Sequence, residues 1–184
     1  MFLVMFQIGF AAHSGEYPVE LKEKVDRLIN LLRKYCFQRS LSILVGGYWG
    51  LMKDIVDVAI NKSFNVVVFL PVERELEELP DKVVKIYTGA EFRVRSVMLV
   101  RSSDVLVALG GGVGTEIEIL IAYAIGKPIY VLTGTGLYTD KLKHTFPDFF
   151  DERKIVRVVY SDSVEEIAKG VCESVGVSSR TNYG

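Results

Sequence analysis

Val105-Leu106-Val107-Ala108-Leu109 runs directly into Gly110-Gly111-Gly112-Val113-Gly114-Thr115, and Glu116-Ile117-Glu118-Ile119 follows. An uninterrupted apolar run of this length reads as a strand buried on both faces, and the glycines end it. From Thr115 to Ile125 the chain becomes helical and is apolar on nearly every side beyond Glu118. Strand, glycine turn and helix in immediate succession form half of a βαβ unit, which belongs to a parallel sheet with helices on both faces.

The same alternation extends in both directions. Upstream, a strand over Phe2–Phe10 leads through Ala12-His13-Ser14-Gly15 to an amphipathic helix from about Val19 to Tyr35. Leu41–Val45 is a second strand ending in Gly46-Gly47-Tyr48-Trp49-Gly50, and a helix with Leu51, Ile55, Val58 and Ala59 inward precedes a third strand, Asn65–Leu70. Glu73–Glu78 reads as a solvated loop or short helix, Val83–Tyr87 as a fourth strand and Glu91–Arg101 as a helix. Downstream, strands over Pro128–Leu132 and Ile155–Tyr160 bracket Thr133-Gly134-Thr135-Gly136, and a helix capped at Ser161-Asp162-Ser163 closes the fold. The fold class is therefore α/β: a doubly wound, mostly parallel, Rossmann-like sheet of about seven strands with helices on both faces.

The 184 residues are expected to form one domain over 1–177, with a polar tail at 178–184. Hydrophobic residues make up 49% of the chain and mean hydropathy is +0.27, which suits a sheet covered on both sides. Net charge is −1, so no overall field draws the chain to nucleic acid or an anionic membrane, and neither partner is expected. No apolar run is long enough to span a bilayer, and the opening residues lack a basic leader segment, so a cytoplasmic location is expected. Cys36 and Cys172 lie far apart, form no C-x-x-C and are expected to be reduced packing residues. The apolar helix at 115–125 points to a homodimer or higher homo-oligomer packed through it.

Glycine-rich segments at 46–50, 110–114 and 134–136 each follow an apolar strand. In an open parallel sheet such turns gather on one edge, where ligands bind, and glycine lets backbone N–H groups at a helix start approach a phosphate. Gly46, Gly47, Gly111, Gly112, Val113, Gly114, Thr115, Gly134 and Thr135 are the candidate ligand- and phosphate-binding residues, joined by Ser14 in the first strand-to-helix turn. Neither a dinucleotide fingerprint nor an ATPase loop is present. His13 and His144 are isolated and no metal-binding motif occurs, so no metal site is expected. Glu116 suits the dipole of the following helix, whereas Glu118 is an acid surrounded by Ile117, Ile119, Leu120 and Ile121. Arg95 lies on the helix feeding the same loop; Arg93 reads as part of a solvated face.

Gly46-Gly47-Tyr48-Trp49-Gly50-Leu51-Met52 resembles the G-G-x-x-G-L-M segment of the Lonely guy family, once mislabelled lysine decarboxylases. The resemblance continues through Arg95, nine residues before Asp104, to Gly111-Gly112-Val113-Gly114-Thr115-Glu116-Ile117-Glu118, which is similar to that family's P-G-G-x-G-T-x-x-E signature. It implies a Rossmann-like homodimer cleaving nucleoside 5′-monophosphates to free base and ribose 5-phosphate. Arg95 and Glu118 would take the catalytic places and Gly111, Gly112, Gly114 and Thr115 the phosphate-binding ones. Gly110 replaces the signature proline, Val113 stands where an aromatic is common, and Val94 and Ser96 flank Arg95 where the hydrolases have Glu and Lys. With Gly134-Thr135-Gly136-Leu137-Tyr138-Thr139-Asp140, these departures resemble a divergent branch that includes molybdenum-cofactor carrier proteins.

Two functions follow as expectations. The first is N-glycosidic hydrolysis with no required cofactor, Glu118 stabilising an oxocarbenium-like centre or activating water, and Arg95 holding the phosphate or polarising the base. The second is a non-catalytic carrier of a nucleotide or of the molybdenum cofactor's phosphorylated pterin on the same loops.

Overall fold

The computed structural model describes residues 5–37 and 39–174, so the expected tail at 178–184 and the first residues of the expected opening strand lie outside the described residues. Seven parallel strands form one sheet in the order β4-β3-β2-β1-β5-β6-β7, with β1 Phe6–Ala11, β2 Leu41–Val45, β3 Asn65–Leu70, β4 Val83–Tyr87, β5 Val105–Ala108, β6 Ile129–Leu132 and β7 Val158–Ser161. The helices are α1 Val19–Tyr35, α2 Gly50–Asn61, α3 Phe92–Ser102, α4 Val113–Ala124, the single turn α5 Leu142–Thr145, and α6 Val164–Glu173. This is the doubly wound Rossmann-like architecture that the apolar runs predict.

The period of two along each strand divides the core into two layers. Ile8 and Phe10 of β1, Ile43 and Val45 of β2, and Val105 and Val107 of β5 face the layer formed with α1, α2 and α6. Ala11, Leu106 and Ala108 face the other side, with Val100 of α3, Ile119 and Ala122 of α4 and Leu142 of α5. Register reinforces the division, because Ile8 pairs with Ile43 on one side and with Val105 on the other. Strand order reverses between β1 and β5, which opens a crevice beyond the carboxyl ends of those two strands.

Several boundaries differ from expectation. The strand expected over Ile155–Tyr160 is confined to Val158–Ser161, because β6 has only four residues and its first, Ile129, pairs with Val158. Residues 155–157 have no ladder partner, and the Arg157 guanidinium instead bonds the Asp148 carboxylate at 2.8 Å. Within the acidic stretch a short 3-10 turn covers Val72–Arg74, and a second 3-10 turn covers Tyr138–Lys141 before α5. The helix after the glycine loop begins at Val113, so Gly114 and Thr115 belong to its first turn.

The cysteines correct a further expectation. Cys36 and Cys172 form a disulfide, their Cα atoms 5.3 Å apart across a sequence separation of 136. Linear distance hid the pairing: α1 and α6 pack side by side, and each places its cysteine at its C-terminal end. The bond closes most of the chain into a loop and restricts the unfolded state. Reduction, or Cys36→Ser, should lower unfolding free energy by about 2–4 kcal/mol, read as a lower urea midpoint; an unchanged midpoint under reductant would count against the bond.

A cationic cleft at the strand reversal

Turns after β1, β2, β3 and β5 converge over the crevice and line a cleft of about 510 Å³. The first turn contributes Ala12, His13 and Ser14. It approaches α2 closely: the Leu51 N–H donates to the His13 carbonyl at 2.9 Å, and a Cβ at Gly50 would lie 2.6 Å from that same oxygen. Gly50 also has φ +53°, so both conformation and space demand glycine there. Ser14, beside it, lines the cleft.

Glu118 and Arg95 meet inside it. α3 and α4 pack together, and Arg95 Nη1 stands 3.5 Å from Glu118 Oε1 with both side chains buried. The Ser96 hydroxyl donates to the same Glu118 oxygen at 2.8 Å. Burial pushes the Glu118 carboxyl above the ordinary carboxylate range, opposed by the Arg95 charge and the Ser96 hydrogen bond. Arg95 Nε is buried without a hydrogen-bond partner among the described residues, so the guanidinium retains an unused donor beside the cleft.

At the start of α4 no side chain caps the helix, and its first backbone hydrogen bond runs from the Glu116 N–H to the Gly112 carbonyl. The N–H groups of Val113, Gly114 and Thr115 therefore precede any intrahelical donor and carry the positive end of the dipole. Gly112, Val113, Gly114 and Thr115 all line the cleft, and Arg93 reaches the same point, its Nη1 3.3 Å from where a Cβ on Gly114 would lie.

Other glycines serve different ends. A Cβ on Gly46 would fall 1.3 Å from Arg95 Nη1, and one on Gly47 would fall 2.2 Å from the Trp49 ring. Both residues are buried and neither lines the cleft; they make room for side chains rather than for phosphate. Gly111 is buried as well, its N–H donating to Thr139 Oγ1 at 3.1 Å and its carbonyl accepting from the Thr139 N–H at 3.1 Å. The Thr135 N–H and hydroxyl are taken by Asp140 at 2.9 and 2.8 Å, and the Gly134 carbonyl accepts from Lys24. Gly134 and Thr135 follow β6, one strand beyond the reversal, and lie outside the cleft.

Comparison with known proteins fits this geometry. The sequence model described as the SLOG cluster4 family matches residues 9–168. The chain belongs to the SLOG cluster4 family. The X-ray structure of the structural-genomics target TM1055 is similar to it at 31% identity and TM-score 0.78, over 91% of this chain and 99% of that one. The molybdenum cofactor binding protein of Rippkaea orientalis shares the fold at 22% identity and TM-score 0.75, over 94% and 98%. An uncharacterized protein of Archaeoglobus fulgidus is 32% identical over 111 residues, 60% of this chain and 72% of that protein. The family match covers the glycine motifs on which the resemblance rests, and the likeness to the molybdenum cofactor binding protein is one of fold.

Within this SLOG cluster4 protein, sequence reasoning overlooked several lining residues: Arg74, Arg93, Trp49, Met52, Phe92 and Ser96. Arg93 is exposed, as a residue of a solvated face should be, yet its guanidinium also reaches the start of α4 and lines the cleft. Among the described residues, no group of three or more His, Cys, Asp or Glu could hold a metal ion, and no helix is long and apolar enough to cross a membrane. The seat beneath Arg95 gives a direct test. Gly46→Ala should expel the guanidinium and cost about 1–3 kcal/mol, read as a lower melting temperature; an unchanged melting temperature would contradict the seat.

Proposed function

We propose that the cleft binds a phosphorylated, nucleotide-like ligand and hydrolyses the N-glycosidic bond of a nucleoside 5′-monophosphate to free base and ribose 5-phosphate. The observation that carries this reading is the buried Glu118 carboxylate, set against Arg95 in a cleft also lined by Arg74 and Arg93. Three guanidinium groups and an uncapped helix start favour an anion, and one acid among them suits a reaction that develops positive charge on the sugar.

On this reading the phosphate rests on the Val113, Gly114 and Thr115 N–H groups, with Arg93 as counter-ion. Glu118, once ionised, orients and deprotonates the attacking water while the bond from ribose to base breaks. Arg95 turns its free Nε–H toward the departing base. Water is the only second reactant, so the reaction calls for no cofactor.

A carrier reading also has support, because the molybdenum cofactor binding protein of Rippkaea orientalis covers this fold nearly end to end. In that case the same groups hold a phosphorylated pterin as cargo, and Glu118 positions it without turnover.

On the same reading a second copy of the chain packs on α4: Val113 and Leu120 are exposed on α4, next to exposed Val94, Val97 and Met98 on α3. Leu120→Glu should convert a dimer to a monomer in light scattering coupled to size exclusion, and a monomeric parent protein would refute this interface.

The function is tested by incubating the protein with a panel of nucleoside 5′-monophosphates and assaying free base and ribose 5-phosphate. Glu118→Gln should lower turnover by about 10²–10⁴-fold with ligand binding retained; unchanged turnover would remove Glu118 from the chemistry, and binding without any product would favour the carrier. Because burial raises the Glu118 carboxyl and the reaction uses its ionised form, activity should fall on acidification through a limb above the ordinary carboxylate range, and a limb at the ordinary value would contradict the assignment.

A further inference from the structure

We propose that Trp49 is a stacking platform for a flat heteroaromatic ring, so that the ligand carries a planar base at one end and a phosphate at the other. The inference deepens the phosphorylated-ligand reading above and rests on it. Trp49 stands immediately before α2, half-buried and lining the cleft. Its six-membered ring lies against Gly47, where a Cβ would fall 2.2 Å from Cη2 and 2.3 Å from Cζ3. Phe92 meets it edge-on, ring centroids 6.3 Å apart and planes at 89°. The indole is therefore held in place by backbone on one side and a perpendicular ring at another.

What lies over the indole is Arg74, its guanidinium carbon 5.2 Å from the ring centroid. Arg74 sits on the 3-10 turn after β3 with its side chain half exposed, and its ion pair with Glu77 is long at 3.6 Å. A tryptophan serving the core alone would be covered by apolar groups. Trp49 packs partly against the core, but over its ring at the cleft mouth lies a charged side chain, and guanidinium groups leave such positions at small cost. A planar base is the chemistry that replaces a guanidinium on a π face, and stacking tolerates many bases because each offers one. Met52 lines the same cleft, while Arg93 and the free N–H groups gather at the start of α4. The cleft thus has an aromatic part and an anion-binding part, and a nucleotide or a phosphorylated pterin presents both.

Trp49 is the single tryptophan of the chain, so fluorescence excited beyond the tyrosine absorption band reports on it alone. The full chain is titrated with nucleoside 5′-monophosphates, a phosphorylated pterin and ribose 5-phosphate, with melting temperature followed in parallel. The ring-bearing ligands should quench Trp49, whereas ribose 5-phosphate should raise the melting temperature without quenching. Trp49→Leu should weaken binding of the ring-bearing ligands by about tenfold or more and leave ribose 5-phosphate affinity unchanged, and Trp49→Phe should restore most of the loss. Binding of ribose 5-phosphate with no added effect of any ring, or wild-type affinity in Trp49→Leu, overturns the stacking role alone. Absence of stabilisation by every phosphorylated ligand overturns the underlying reading as well.

Discussion

The arrangement depends on placing a guanidinium and a carboxylate together where water is largely excluded. Desolvating two charges is costly, and a separation of 3.5 Å with one hydroxyl donor to the carboxylate offsets that cost incompletely. Removing either partner would strand the other and cost about 3–5 kcal/mol, yet the intact pair is a poor source of stability compared with apolar packing. Its geometry is better explained by use: among the described residues Arg95 keeps a donor unpaired, and burial pushes the Glu118 carboxyl above the ordinary carboxylate range against the pull of Arg95. Both states suit groups that complete their bonding on a ligand.

This pair in turn constrains the backbone around it. Arg95 fits because β2 ends in a glycine whose missing Cβ leaves room for Nη1, and because the packing of α3 on α4 brings positions 95 and 118 face to face. Strand order supplies the rest. The reversal between β1 and β5 separates the helices that follow these strands onto opposite faces, leaving the crevice into which the turn after β1 and the start of α4 both open. Glycine-rich turns in one chain therefore do unlike work: some open space for a side chain, one permits a turn to cross a helix start, and those at 112 and 114 expose backbone donors.

Much of the fold was legible because apolar runs ended at strong turn residues. The limits of α1, β2, β3 and β4 coincide with those read from periodicity, whereas β7 was overextended because its pairing length is set by a short neighbouring strand, which no local pattern records. Glu118 stood out as an acid among isoleucines, and Arg95 through its motif. Arg93 does lie on an exposed face, and only the reach of its long side chain, which no spacing records, brings its guanidinium to α4. Gly134 and Thr135 looked equivalent to the other glycine turns, but β6 lies past the reversal and Asp140 takes the donors of Thr135 and Gly136. The disulfide left no trace in spacing because it joins helix ends brought together by tertiary packing.

The two functional readings differ less in the site than in what occupies the last position beside Glu118. Hydrolysis needs a water between the carboxylate and the sugar carbon, and an acid drawn above its ordinary range by burial is a stronger base once ionised. Carriage needs that position filled by the ligand itself, so that the same carboxylate becomes an acceptor for a ring N–H. Ser96 already donates to one Glu118 oxygen, Oε1, and Arg95 approaches the same atom. The second oxygen is thus the one with bonding capacity to spare, and its occupant, water or ligand, decides whether this cleft turns over what it binds.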